Sequence, residues 1–142
     1  MKKILVLVPL AGLLLAFTSN IDYGNPNTSY YQDSPWKAPA SAKAIKNPVA
    51  ANKVASSAKK GKATFTTYCV VCHGAKGIGD GAGGKALDPK PANLTSDKVQ
   101  GQTDGEIFWK ITNGRGAMVK WEAMLSETQR WELVNYVRTL KK

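Results

Sequence analysis

Both cysteines and the only histidine of this chain fall within five consecutive residues, Cys69-Val70-Val71-Cys72-His73. No second cluster of soft ligands exists, so the chemistry of these side chains must be completed within that turn or by a group brought from outside. A zinc site wants four ligands, and this run offers three. A thioredoxin-like redox pair needs a preceding strand in a βαβ setting, and none is visible. A disulfide between Cys69 and Cys72 would close so short a loop that it stabilises little. The CxxCH spacing is instead the attachment pattern of a c-type haem. Two thiols about one helical turn apart can each add to a vinyl group, and the following histidine lies beneath the iron and offers an imidazole. The expected cofactor is one covalent haem c with its iron, attached through Cys69 and Cys72, with His73 as a metal ligand. With no other histidine in the chain, the second axial position is filled by a different residue type or left open.

The chain opens Met1-Lys2-Lys3 and then runs almost wholly apolar from Ile4 to Phe17. A positive start and a short apolar stretch read as a secretory signal, shorter than the roughly 20 residues that span a bilayer comfortably. Ala16-Phe17-Thr18-Ser19-Asn20 has only loosely the form of a cleavage site. Residues 1–20 are therefore read as a signal peptide or an N-terminal anchor, with residues 4–17 as the membrane tether in the second case. Either way the remainder is exported, and a periplasmic location, soluble or anchored, agrees with covalent haem attachment. Residues 21–55 are rich in Asn, Pro, Ser, Ala and Lys, and Pro26, Pro35, Pro39 and Pro48 interrupt any regular element. They read as an extended linker. Tyr23, Tyr30, Tyr31 and Trp36 are unusual in such a stretch; they either pack onto the domain or a partner, or stand as scattered surface aromatics.

The net charge is +10. A basic surface can signal nucleic acid, but an exported haem protein without a basic-aromatic run is not read that way. Docking on redox protein partners with acidic faces, or attraction to an anionic membrane, fits better. The plain alternative is that the lysines keep a small protein soluble.

The folded domain is expected over residues 56–142 and is expected to be all-α. Ala55 to Cys69 reads as a helix, with Gly61, Phe65 and Tyr68 at helical spacing. The glycine-dense run from Gly74 to Gly84 excludes a helix, and the prolines of Asp88 to Leu94 hold that segment extended. Thr103-Asp104-Gly105-Glu106 and Ser126-Glu127-Thr128-Gln129 both have capping-box form. The first opens a helix to about Thr112, stopped by Asn113-Gly114. The second opens a helix to about Leu140 with a broad apolar face of Trp131, Leu133, Val134, Tyr136, Val137 and Leu140. No segment alternates as a strand would. A domain this small and this rich in loops buries little apolar surface alone, so a haem at its centre supplies the deficit.

These residues resemble the class I cytochrome c family, in its small bacterial monohaem branch. The likeness covers roughly residues 59–141. It is carried by Gly61-Lys62-Ala63-Thr64-Phe65, by Cys69 through Gly74, by the Gly79-Asp80-Gly81 turn, and by Pro91-Ala92-Asn93-Leu94. Ile111 through Met118 and Leu133-Val134-Asn135-Tyr136-Val137 complete it. The resemblance implies the class I cytochrome c fold, with helices wrapped around one covalent haem. It implies a close crossing of the N- and C-terminal helices at Gly61, with Phe65 against Leu133 and Tyr136. It also implies Met118 as the second iron ligand, although Val119 stands where the family often has proline. Met124, beside Leu125, is the other candidate methionine and is expected to pack in the core.

A neutral thioether favours ferrous iron and raises the reduction potential relative to a second imidazole. The resemblance further places the Pro91 carbonyl, with Pro89 as its rival, as acceptor for the His73 ring N–H. Leu94, Phe108, Trp109, Ile111 and Trp121 become haem-pocket walls, with ordinary core packing as the alternative. Arg115 either pairs with a haem propionate or is a solvated surface arginine. The implied function is an exported carrier of single electrons between respiratory redox partners, and not an enzyme. Two alternatives stay open: a tethered cytochrome subunit of a larger respiratory complex, and a haem enzyme or gas sensor with an open iron position.

Overall fold

The computed structural model describes residues 36–142; the apolar run 4–17 and Tyr23, Tyr30 and Tyr31 lie outside them. In order, the helices are α1 (Ala40–Ala44), α2 (Val54–Tyr68), α3 (Val70–His73), α4 (Asp97–Gln100), α5 (Asp104–Asn113) and α6 (Glu127–Thr139). Short 3₁₀ turns lie at Ala51–Lys53, Ala82–Gly84 and Trp121–Ala123. Among the described residues there is no strand, only an isolated bridge between Arg115 and Met118. The fold is all-α.

Both capping boxes form. Thr103 N donates to Glu106 Oε2 at 2.8 Å while Glu106 N donates back to Thr103 Oγ1 at 3.2 Å. Ser126 and Gln129 repeat the exchange at 2.9 and 3.2 Å. Each box satisfies N–H groups that a helix start leaves without partners, and so fixes where α5 and α6 begin.

The core is built on the crossing of α2 and α6. A Cβ at Gly61 would lie 1.9 Å from the carbonyl oxygen of Glu132 and 2.4 Å from its carbon, so the two backbones meet where only glycine fits. Around that point Phe65, Leu133 and Val134 are fully buried, and the Phe65 and Tyr136 rings tilt together at 5.0 Å. Asn135 Nδ2 donates to Ser57 Oγ at 2.8 Å across the same crossing. Helix α5 joins through Ile107 and Ile111, and Phe108 stacks on Trp131 at 4.0 Å. Arg130, buried on α6, donates from Nη1 to Thr112 Oγ1 at 2.7 Å.

Residues 36–53 do not form an extended spacer; they strap across the domain. Pro39 caps α1, whose Ala42 is 1% exposed. It is buried because Gly105 opposes it: a Cβ there would come within 2.1 Å of the Ala42 carbonyl. Trp36 meets Trp109 at 6.4 Å, and Lys110 Nζ lies 5.4 Å from the Trp36 ring centre. Asn47 ties the strap down, donating to Asp104 Oδ2 at 2.9 Å and Asn135 Oδ1 at 2.7 Å and accepting from Val49 N at 3.1 Å. Asn47→Ala removes all three bonds and leaves Asn135 short of a donor. Such losses typically cost about 1–3 kcal/mol. Urea denaturation of the haem-loaded protein should show that drop; an unchanged midpoint would mean the strap lies outside the cooperative unit.

Candidate functional site: the CxxCH turn and its surroundings

Helix α2 ends at Tyr68 and α3 resumes at Val70, with Cys69 between them at φ −106° and ψ −29°. The amides of Cys72 and His73 both donate to Cys69 O, at 3.2 and 2.8 Å, so both thiols and the imidazole share one turn. Ahead of them α3 would leave its last carbonyls bare. The glycine loop supplies the donors: Gly81 N reaches Cys72 O at 3.1 Å and Gly79 N reaches His73 O at 2.9 Å. A Cβ at Gly81 would sit 2.5 Å from Val71 O, which explains why the loop after CxxCH is made of glycine.

The two thiols are free of each other. Burial, and secondarily the neighbouring Cys72 charge, pushes the Cys69 thiol up to about 12. A thiol held that high stays protonated at neutral pH and is a poor exchange nucleophile, which argues against a redox dithiol. Among the described residues no group of three or more His, Cys, Asp or Glu side chains converges to hold a bare metal ion.

His73 Nδ1 lies 3.1 Å from the carbonyl of Ala92. A carbonyl can only accept, so Nδ1 carries the proton, and Nε2 keeps its lone pair. Burial lowers the pKa of the imidazole, against the opposing pull of the Ala92 carbonyl, and so favours the neutral ring. A neutral imidazole with Nδ1–H fixed by a backbone oxygen and Nε2 left as donor atom is the arrangement an iron ligand requires. The residues thus fit a covalent haem better than any group the chain could hold unaided. The acceptor is Ala92 and not Pro91 or Pro89. Successive carbonyls of an extended segment point to opposite sides, and the Pro91 carbonyl is turned to Gly79, where a Cβ would approach it to 2.4 Å.

Met118 sits at the end of a tight turn closed by reciprocal bonds, Arg115 N to Met118 O and Met118 N to Arg115 O, both 3.0 Å. Met118 is half-buried and packs against the core, as does Leu94; Arg115 is half-buried. Met124, expected in the core, is 60% exposed. In the turn after Trp121 the inward positions go to Trp121 and Leu125, joined by a 2.8 Å backbone bond, and Met124 is left outside.

Trp121 is buried against Tyr68, the residue before Cys69, with ring centres 5.4 Å apart. Ile107 and Ile111 hold the core side of α5, so Gly105 and Trp109, one turn apart on another side, face the strap, where Trp109 packs on Trp36. Phe108 is spent on Trp131, and Ile111 is a core residue. Sequence reasoning missed Gln100, whose Nε2 donates to Leu94 O at 2.7 Å and Val137 O at 2.9 Å, pinning the Leu94 segment to α6. Nothing in the local sequence marks it.

Residues 56–137 match the family described as cytochrome c oxidase, cbb3-type, subunit III. Curated relatives include the cbb3-type cytochrome c oxidase subunit CcoP of Azospirillum brasilense, 32% identical over 87 residues, covering 61% of this chain and 29% of that protein. The cbb3-type cytochrome c oxidase subunit FixP of Azorhizobium caulinodans is 40% identical over 85 residues, covering 58% and 27%. The chain thus spans less than a third of the length of these relatives. Among solved structures, the reducing HAO-like protein complex Kustc0457/Kustc0458 of Kuenenia stuttgartiensis shares the fold. Its TM-score is 0.59 at 24% identity, over 69% of this chain and 50% of that one. The c-type cytochrome KustC0563 aligns with a TM-score of 0.50 at 25% identity, over 58% of this chain and 98% of that one.

One expectation needs correction: the chain was expected to be no enzyme, whereas the matching family is that of an oxidase subunit, part of an enzyme complex. An electron-transfer domain bears no catalytic constellation of its own, so the sequence could not reveal that membership. The CxxCH turn, with its imidazole held by the Ala92 carbonyl, and the match over 56–137 converge: this chain belongs to the cbb3-type cytochrome c oxidase subunit III family, and is a c-type cytochrome carrying covalent haem c.

Proposed function

We propose that the chain is an electron-transfer subunit of a larger respiratory complex, exported and held at the periplasmic face of the membrane by residues that precede Trp36. The observation that supports this most is the match of residues 56–137 to an oxidase-subunit family. In this reading residues 56–142 are the haem domain, and the strap of residues 36–53 packs across it. Among the described residues no helix is long and apolar enough to cross a membrane.

The haem, when bound, supplies one-electron chemistry between ferric and ferrous iron. Cys69 and Cys72 fix it to the end of α2 and to α3. His73 offers Nε2 to the iron, held in orientation by the Ala92 carbonyl. Met118, held in its closed turn, would offer its thioether as the second protein ligand. Leu94 and Trp121 would line the haem pocket, and Arg115 would be the donor available to a propionate. Neither ligand gains or loses a proton during electron transfer: the imidazole is neutral already and the thioether cannot titrate. Such a ligand pair would couple no proton uptake or release to electron transfer. Donors and acceptors are redox proteins with acidic docking faces, complementary to the lysine-rich surface.

The test is the state of the chain in its own membranes. After a high-salt wash and mild detergent, the haem-stained chain should stay with the membrane fraction and co-migrate with a large complex that has oxidase activity. Release by osmotic shock as a small soluble haemoprotein would overturn the reading in favour of a free carrier.

A further inference from the structure

Helix α2 carries Lys59, Lys60 and Lys62, with Lys53 just before it, and no acidic residue anywhere along its length. Lys60 leans to Glu132 at 3.9 Å. Lys59 and Lys62 make no ion pair among the described residues. Like charges three positions apart on one helix repel, and here they remain uncompensated. They flank an open groove of about 370 Å³ between α2 and the C-terminal half of α6, completed by Ala55, Ala58, Tyr136 and Thr139. Ala58 and Tyr136 are almost wholly buried, so the groove has an apolar floor with two cationic side chains along its α2 side. Lys59 precedes Cys69 by ten residues, about 15 Å along a helix axis, so an occupant would leave the CxxCH turn uncovered.

We infer that this groove docks an acidic segment of a partner protein, one in which carboxylates flank an apolar side chain. The carboxylates neutralise Lys59 and Lys62, and the apolar side chain rests beside them on Ala58 and Tyr136. A membrane fits less well. A lipid headgroup layer spreads its charge over a broad level surface, whereas these two lysines lie within one helical turn of each other beside a single small apolar strip. The surface is separate from the haem attachment site, so the chain can be held through one face and exchange electrons through another. The inference does not rest on the oxidase-subunit reading.

The test uses the full haem-loaded chain in its reduced form and a short synthetic peptide of alternating glutamate and leucine, titrated by amide NMR. Shifts are expected at residues 55–62 and 136–139. Lys59→Glu with Lys62→Glu should weaken binding about tenfold or more, and Lys59→Gln with Lys62→Gln should weaken it less. Ala55→Trp, which fills the groove without changing charge, should also weaken it. The same reversal at Lys85 and Lys98, exposed and outside the groove, should change it little. Equal loss from the Lys85/Lys98 variant would show attraction to net charge alone and overturn the proposal, as would shifts confined to residues 69–73. It is equally overturned if phosphatidylglycerol vesicles, and not the peptide, require Lys59 and Lys62.

Discussion

Replacing Gly61 with valine is expected to destabilise the haem-loaded protein by about 3 kcal/mol or more, at or beyond the upper end of ordinary overpacking. The reason is that its first added atom meets backbone. A Cβ would sit 1.9 Å from Glu132 O and 3.0 Å from Leu133 N, and neither can swing aside as a side-chain tip can. The α2–α6 crossing would have to open, and Phe65, Leu133 and Val134, all fully buried, would lose contact together. Against a total stability of roughly 5–15 kcal/mol, this is enough to populate unfolded chain. Alanine gives the sharper test because two effects oppose each other. Gly to Ala inside a helix gains roughly 0.5–1 kcal/mol from backbone entropy, whereas the contact at Glu132 predicts a net loss. Urea denaturation of the two variants decides between them: a stabilised Gly61→Ala protein would mean the crossing is looser than the structure has it.

The parts of this molecule that were legible in the sequence are those whose cause is local. The two capping boxes need only residues three apart, and both helices begin where Thr103 and Ser126 put them. The α2–α6 crossing at Gly61 came from the family resemblance and not from the residues alone, and it is where that resemblance placed it. The strap was not legible. Ala-Ser-Ala-Lys-Ala between prolines is too short to show periodicity, and the burial of Ala42 depends on Gly105, far along the chain. Once the strap is in place it also decides Trp109, which turns to Trp36. The choice of Ala92 over Pro91 turns on the alternation of neighbouring carbonyls, which sequence does not encode residue by residue. Met124 failed for a related reason: a 3₁₀ turn, not a helix, carries the chain past Trp121, and its phase puts the methionine outside.

That same difference between the two methionines yields the other large expected effect. Met118→Ala, in protein with its haem attached, should abolish the weak far-red absorption that reports a sulfur–iron bond. It should also lower the reduction potential by on the order of a tenth or more of the roughly 0.8 V over which axial ligands tune haem iron. The sign follows from the ligand: a neutral thioether favours the ferrous state, and the water that replaces it relatively favours the ferric one. An exchangeable position should also admit carbon monoxide rapidly, which a site closed by two protein ligands excludes. Met124→Ala, with its side chain 60% exposed, should alter none of these. The covalent bonds through Cys69 and Cys72 keep the haem in place in both variants, so lost cofactor does not confound the comparison. If Met118→Ala retains the far-red band and the potential, or if Met124→Ala removes them, the Arg115–Met118 turn does not present the ligand. The electron-carrier reading would then require the iron to be closed from elsewhere in the chain or left open to small molecules.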